Sequence, residues 1–308
     1  MLFHEVGLEP KAILDLALEP YIRNAFGLDK GRLISRLPRD WLGEVRRQIN
    51  QMPDGTQKMR IKNLINNQHF LNLIVDFDRP NIQEPWLDTV LKEHKLAPFG
   101  FVVSADQHCP PEVFDVSHIH EPIDASESVV GFTEVKSKNS NQLTNELSPF
   151  LRTNKSLVLV NYSQTLFSRA STAELFKDVF SRWQKFGGIE FKVIVSLARA
   201  ANYRSDCQEL GHYLLKRGFK GLFKFTAVQD ERNKLHERYL LGPLSGVELG
   251  YGLETSTRNQ SWKILNKASF LNHKRRFMDL DIRDEYPEYE EFIYRNSVIK
   301  INSTLSNI

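Results

Sequence analysis

The stretch SLVLVNY, residues 156–162, is a short continuous apolar run of the kind that forms a strand buried inside a sheet. Downstream, Ser171 followed by Glu174 makes a capping-box pattern that predicts a helix start. Phe176, Val179, Phe180, Trp183 and Phe186 then fall on one helical face, before Gly187 and Gly188 end it. IEFKVIVSL (189–197) reads as the next strand. Ser205 and Gln208 repeat the capping pattern for a helix through LGHYLLKRG, and GLFKFTAV (221–228) is the third strand. LHERYLLG (235–242) and GVELGYG (246–252) follow as two strands around a Pro-Leu-Ser turn. Strand, helix, strand, helix, strand predicts an α/β layer whose crossovers cover a mixed sheet.

Upstream the texture is helical. PKAILDLALEPYIRNAFG spaces its apolar residues at three and four and stops at Gly27, and Trp41, Leu42, Val45 and Ile49 form one stripe of PRDWLGEVRRQINQM before the turn tripeptide PDG. TQKMRIKNLINN and EPWLDTVLKEH predict two more helices. FGFVVS, near residue 100, reads as a strand, and the Ser/Asn-rich run 137–148 reads as a boundary. The expected fold is α/β (α+β overall). It has an α-rich region over 1–97, a mixed strand and loop connector over 98–148, an α/β domain over 149–278 and an acidic tail over 279–308.

The 308 residues are 41% hydrophobic and 26% charged, which excludes collagenous and low-complexity classes and leaves room for two domains. No window approaches the ~18 uninterrupted apolar residues of a membrane helix. MLFHEVGLEPKAILDL carries acids and a proline where a signal peptide needs a basic start and an apolar core, so a cytoplasmic protein is expected. Cys109 and Cys207 lack any CxxC spacing and read as free, largely inert thiols. The net charge of +3 is unevenly spread. Residues 1–150 hold 16 Lys/Arg against 21 Asp/Glu, whereas 152–276 hold 22 against 10. A block that cationic concentrates a polyanion through its summed field and through counterion release.

Within that block lies KLHERYLLGPLSGVELGYGL, residues 234–253. Taking His236 as origin, Arg238 stands at +2 and Gly250 at +14, on a strand pair that follows a βαβαβ unit. This resembles the phospholipase D superfamily, whose motif runs His-x-Lys, four residues, Asp, six residues, Gly-Ser-x-Asn. In place of that pattern the chain has Arg238 for lysine, Pro243 for aspartate, Tyr251 for serine and Leu253 for asparagine. The segment is more similar to degenerate single-motif members: the C-terminal domain appended to MIT modules, and bacterial proteins with an LHxRYxLTxxGGVxFGxGL segment. HEVGLEPKAI, KGRLISRLPRDW and WLDTVLKEHKLAPF also resemble those bacterial proteins, so the likeness spans most of the chain. SLVLVNY stands where their first strand ends in Asp-Pro, and Asn161 and Tyr162 depart from that pair.

The resemblance implies that His236 attacks phosphorus to form a phosphohistidine while Arg238 clamps the phosphoryl oxygens, with no cofactor and no metal. Strict alternation turns Glu237 away from His236, which leaves Glu248 to orient the imidazole. The second histidine of such enzymes comes from another motif or from a homodimer partner; His118, His120 and His212 are weak substitutes. The resemblance also implies nucleic acid, DNA or RNA, as ligand, and partner proteins of a bacterial phage-defence complex. The competing class is a non-catalytic module that binds proteins.

Further candidates lie outside the motif. Lys234 and the cluster Lys274, Arg275 and Arg276 beside Phe277 suit phosphate contact with base stacking. Glu134 and Lys136 form the ExK half of a PD-(D/E)xK nuclease motif, with Lys138 on the same expected strand face and Asp124 upstream. His108, Cys109, His118 and His120 offer zinc-type ligands at irregular spacing. The acids of the tail alternate with Tyr and Phe, fit either to dock a partner or to fold back over the basic surface.

Overall fold

The computed structural model describes residues 1–80, 85–106, 108–127, 130–161, 166–167, 169–197, 202–230, 235, 238–255 and 260–305. The chain divides into two units, residues 1–131 and 132–308. The α/β class with a mixed sheet is what the structure has. The division after Gly131 differs from the boundaries expected at 97 and 148.

In the first unit the strands are β1 (His4–Leu8), β2 (Arg32–Ser35), β3 (Ile74–Val75), β4 (Phe101–Ser104) and β5 (Phe114–Asp115). The helices are α1 (Glu19–Ala25), α2 (Trp41–Gln51), α3 (Thr56–Ile65), α4 (Gln68–Leu71), α5 (Trp86–Leu96) and α6 (His120–Ser126). The helices clothe a five-stranded parallel sheet of order β3-β2-β1-β4-β5. The α-rich reading of residues 1–97 omitted β1, β2 and β3, whereas β4 is the strand expected at FGFVVS. Val6, Leu8, Ile34, Phe101 and Val103 pack on Trp41, Val45 and Ile49 of α2, as the stripe predicts. On the other face Val102 and Phe99 meet Val90 of α5. Gly7 lets α5 approach, since a Cβ there would lie 3.1 Å from Val90 Cγ2. The single helix expected over 10–27 is broken, because the Asp15 carboxylate accepts from Ala17 N at 2.8 Å and stops the first turn.

The second unit begins with β6 (Phe132–Glu134) and α7 (Ser140–Thr153). It continues through β7 (Ser156–Asn161), α8 (Ala170–Lys185), β8 (Glu190–Ser196), α9 (Tyr203–Lys216) and β9 (Leu222–Val228). Next come β10 (Arg238–Leu241), β11 (Gly246–Glu248), β12 (Ser261–Ile264), α10 (Lys267–Lys274), a π-helical turn over Arg275–Asp279, and α11 (Ile282–Glu285). The hairpin of β13 (Tyr289–Arg295) and β14 (Val298–Ser303) ends the fold. The sheet has nine strands in the order β14-β13-β9-β8-β7-β10-β11-β12-β6, with β7, β8 and β9 parallel to their neighbours in that trio.

Phe176, Phe180 and Trp183 of α8 are fully buried and meet Phe191 and Phe223 across the sheet face at ring separations of 5.3–6.2 Å. Both crossover helices start upstream of the expected serine caps. Thr172 and Ala173 are buried in α8, and in α9 Tyr203 is pinned by its hydroxyl, which donates to Phe225 O at 2.6 Å and accepts from Phe292 N at 3.0 Å. The Ser/Asn-rich run 137–148 leads into α7 rather than marking a boundary. Asn139 and Gln142 form a reciprocal capping box there.

The expected tail is sheet. Phe292 lies opposite Phe225, Glu290 and Glu291 are buried, and Arg204 pairs with Glu290 at 2.6 Å. Asn296 and Ser297, at φ 49° and 67°, make the two-residue turn between β13 and β14. Left-handed backbone costs a serine ~1 kcal/mol, so Ser297→Gly should raise the urea midpoint of this unit at unchanged m-value. An unmoved midpoint would show that the turn stores no strain. β14 is the last strand of the order, with Val298, Ile299 and Ile301 exposed. A groove of about 560 Å³ runs between it and α9, lined by Cys207, Gly211, Leu215, Phe292, Ile299 and Ile301.

Candidate functional site

The chain lays down β7, β8 and β9 in one direction and then crosses back to place β10 on the other side of β7. In open α/β sheets this reversal leaves a crevice at the carboxyl ends of the strands, where ligands bind. Here it puts Arg238, the first residue of β10, directly opposite Asn161, the last of β7. Opposed residues share a sheet face. That face carries Phe191 and Phe223 and is covered by α8, which follows β7 in the chain and carries a partial positive charge at its N-terminal end.

Arg238 is half-buried, and its Nη1 donates to Gly250 O at 3.3 Å. Gly250 has φ +57°. A Cβ there would come 2.9 Å from Ser261 O, so both conformation and space require glycine at the position that the sequence motif marks. The same loop holds a second cation: Arg169, at the start of α8, lies 3.8 Å from the Glu254 carboxylate and is 66% exposed at its side chain. The loop is closed by Gln260, whose Oε1 accepts from Tyr251 N at 2.9 Å. Two guanidinium groups thus flank the 249–255 loop. Arg169 was missed in the sequence because nothing local distinguishes it from other surface arginines.

Two buried carboxylates brace the strand ends. Asp206 accepts from Leu166 N at 2.6 Å and from Phe167 N at 3.3 Å, and Asp230 accepts from Leu235 N at 2.9 Å. Ser196, the last residue of β8, is 1% exposed and its hydroxyl has no hydrogen-bond partner among the described residues. By register it projects from the face opposite Arg238.

His236 and Lys234 lie outside the described residues, as do Glu237 and Tyr162. Glu248 does not share the face of Arg238. It lies opposite Tyr239, one residue further along β10, and pairs with Lys263 at 3.1 Å. Leu253, in the asparagine position of the motif, is fully buried, while Pro243 and Tyr251 are exposed.

The basic cluster is largely neutralised within the chain. Lys274 bonds both oxygens of Asp279 at 2.7 and 2.9 Å. Arg276 makes a two-pronged contact with Glu285 at 2.7 and 2.8 Å and reaches the Tyr286 hydroxyl. Arg275 is exposed. Acids of the C-terminal segment therefore do fold back on these cations. Glu134 ends β6 and the chain then turns, with Ser137 at φ 64°, so Lys136 and Lys138 do not continue its strand face; Lys138 instead meets Thr133 and Glu146. Asp124 belongs to α6 of the other unit.

Among the described residues no three His, Cys, Asp or Glu side chains converge as a metal site. Cys109 donates to Asp106 O, and His118 pairs with Asp115 at 2.5 Å. The Ser117 hydroxyl, with His118, holds Asp115 down at about 2, and Asp115 in turn raises His118. Burial pushes the Cys207 thiol up to about 12, consistent with an inert thiol. His212 sits on α9, its Nδ1 2.9 Å from Gln208 O. Among the described residues no helix is long and apolar enough to cross a membrane. Comparison with protein-family models, with curated proteins and with solved structures gives no match for the chain.

Proposed function

We propose that the crevice beside β7 and β10 binds the phosphodiester backbone of a nucleic acid, in a domain of degenerate phospholipase D type. The observation that carries this reading is the placement of Arg238 opposite Asn161 at the point where the strand order reverses. The start of α8 adds positive potential on the same face, where Arg169 pairs with Glu254, and the unit as a whole is cationic: residues 132–308 hold 27 Lys/Arg against 19 Asp/Glu. A guanidinium binds phosphate oxygens in pairs, which suits Arg238 to the role of phosphate clamp. The reading is of binding rather than turnover. Pro243, Tyr251 and Leu253 replace three polar groups that the chemistry of the family uses, and Glu248 faces away from Arg238. A place in a phage-defence assembly belongs to the same proposal and rests on the sequence resemblance.

The test is titration of fluorescein-labelled single-stranded DNA and RNA at two salt concentrations with the full chain, Arg238→Ala and Arg238→Lys. Loss of a charge-assisted contact of about 1.5–3 kcal/mol predicts roughly tenfold to hundredfold weaker binding for Arg238→Ala, and a salt slope shallower by about one. Lysine should restore part of the affinity. Equal binding by the wild type and Arg238→Ala, or no binding by the wild type at low salt, would remove the proposal.

A further inference from the structure

Tyr251 follows the glycine whose carbonyl Arg238 holds, and the loop around it is pinned on both sides. Leu249 and Leu253 are fully buried and anchor its two ends. Leu249 N donates to Arg238 O at 2.8 Å, and Gly252 N turns back to Leu249 O at 2.9 Å. The backbone N–H of Tyr251 donates to Gln260 Oε1 at 2.9 Å. Gly250 and Gly252, at φ +57° and +122°, let the chain double back on either side of it. These contacts use the backbone of residue 251, not its side chain.

The side chain is left in solvent. Tyr251 is 47% exposed, the one exposed tyrosine among the described residues. Tyr203, Tyr239, Tyr286 and Tyr294, by contrast, are each at most 5% exposed. Because its support is already ordered, a partner that packs on this ring has little backbone freedom left to remove.

The ring also stands next to a cation. Arg238 Nη1 donates to Gly250 O at 3.3 Å. That oxygen and the Tyr251 Cα belong to one planar peptide unit, so the guanidinium nitrogen lies within about 6 Å of the Tyr251 Cα. A cation beside an exposed ring suits a nucleotide, with the phosphate on the guanidinium and the base on the ring. Stacking is open only to a base whose face is bare. Inside a duplex both faces are covered by neighbouring pairs.

We propose that Tyr251 is the platform on which an unpaired base stacks while Arg238 holds the adjoining phosphate, so that the ligand of this crevice is single-stranded nucleic acid rather than duplex. The proposal rests on the phosphodiester reading of the crevice and adds the strandedness of the ligand to it. Every base has a π-face, so the platform selects unpaired strands without selecting sequence. The serine that the family motif carries at this position offers no such face.

Titration of the full chain with fluorescein-labelled oligothymidylate, with an abasic strand of equal length and charge, and with a duplex of equal length tests the proposal. The wild type should bind oligothymidylate more tightly than either of the others. Tyr251→Ala should weaken oligothymidylate about fivefold to a hundredfold and leave the abasic strand unchanged. Its salt slope should match that of the wild type, because no phosphate contact is lost, whereas Arg238→Ala makes the slope shallower. Tyr251→Trp should bind at least as tightly as the wild type. The loop survives alanine because residue 251 holds it through its backbone N–H. Equal binding of oligothymidylate and the abasic strand by the wild type, wild-type affinity in Tyr251→Ala, or tighter binding of the duplex would each overturn the proposal. If Arg238→Ala is weakened in those cases, the phosphodiester reading stands without the stacked base. No binding of any strand by the wild type at low salt would remove that reading and this proposal with it.

Discussion

Replacing Arg79 by methionine should destabilise the first unit by about 3–5 kcal/mol, the cost of leaving a buried carboxylate without its cation. Arg79 is 8% exposed. Its Nε and Nη2 hold both oxygens of Glu5 at 2.7–3.2 Å, and its Nη1 donates to the backbone carbonyl of Glu93 at 3.3 Å and lies 3.5 Å from that residue's carboxylate. The guanidinium also lies over the Phe99 ring at 4.1 Å, and Ser35 donates to Glu5 from the next strand. One planar cation thus joins β1, the central strand of the sheet, to α5. Lysine should rescue little, because a point charge cannot bridge two carboxylates and stack on a ring at once. Changing Glu5 and Glu93 to glutamine together with Arg79→Met should recover most of the loss, since the penalty comes from unpaired charge rather than from volume. Hydrogen exchange of the β1 and α5 amides reads this unit separately from the other. A loss below about 1 kcal/mol would mean that water reaches the carboxylates and that the network contributes little.

The second large effect is expected at Phe180, where alanine should cost the C-terminal unit about 3–5 kcal/mol. The ring is fully buried at the centre of an aromatic cluster, with Phe176, Trp183, Phe191, Tyr213, Phe219 and Phe223 at centroid separations of 5.2–5.9 Å. So many rigid rings cannot collapse into the vacated space, so a cavity penalty adds to the lost transfer energy. Leucine refills part of the volume but forfeits the edge-to-face contacts, and should cost about 1–2 kcal/mol. Exchange of the β8 and β9 amides is the readout. If Phe180→Ala costs no more than Phe180→Leu, the cluster is repacking freely and the interpretation fails.

How much of this was legible in the sequence varies with the kind of signal. The helix α8 and the strands around it carry strong periodicities, and Phe176, Val179, Phe180 and Trp183 are buried together as their spacing implies. The stripe of Trp41, Val45 and Ile49 likewise marks the buried face of α2. Of the first sheet only β4 was legible; β1, β2, β3 and β5 are two to five residues long, and β1 and β2 are interrupted by Glu5, Arg32 and Ser35, polar residues held in the sheet by partners distant in sequence. β13 was hidden in the same way, its Glu290 and Glu291 reading as solvent-facing acids until Arg204 and the Thr226 hydroxyl are placed beside them. For the candidate site, the motif led to Arg238 and Gly250, and the fold supplies Arg169. The face of Glu248 depended on a register that only the geometry of the turn determines. Leu241 opposite Gly246 closes that turn and sends Glu248 to the side away from Arg238.

The open flank of β14 has a consequence for the protein in a crowded solution. Its outer N–H and C=O groups form a ready ladder, and Val298, Ile299 and Ile301 project beside it, with Lys300 as the lone charge within the strand. Such a border can recruit a further strand from any extended chain that comes near, including a nascent or partly unfolded copy. Lys300 is the gatekeeper that keeps this growth in check.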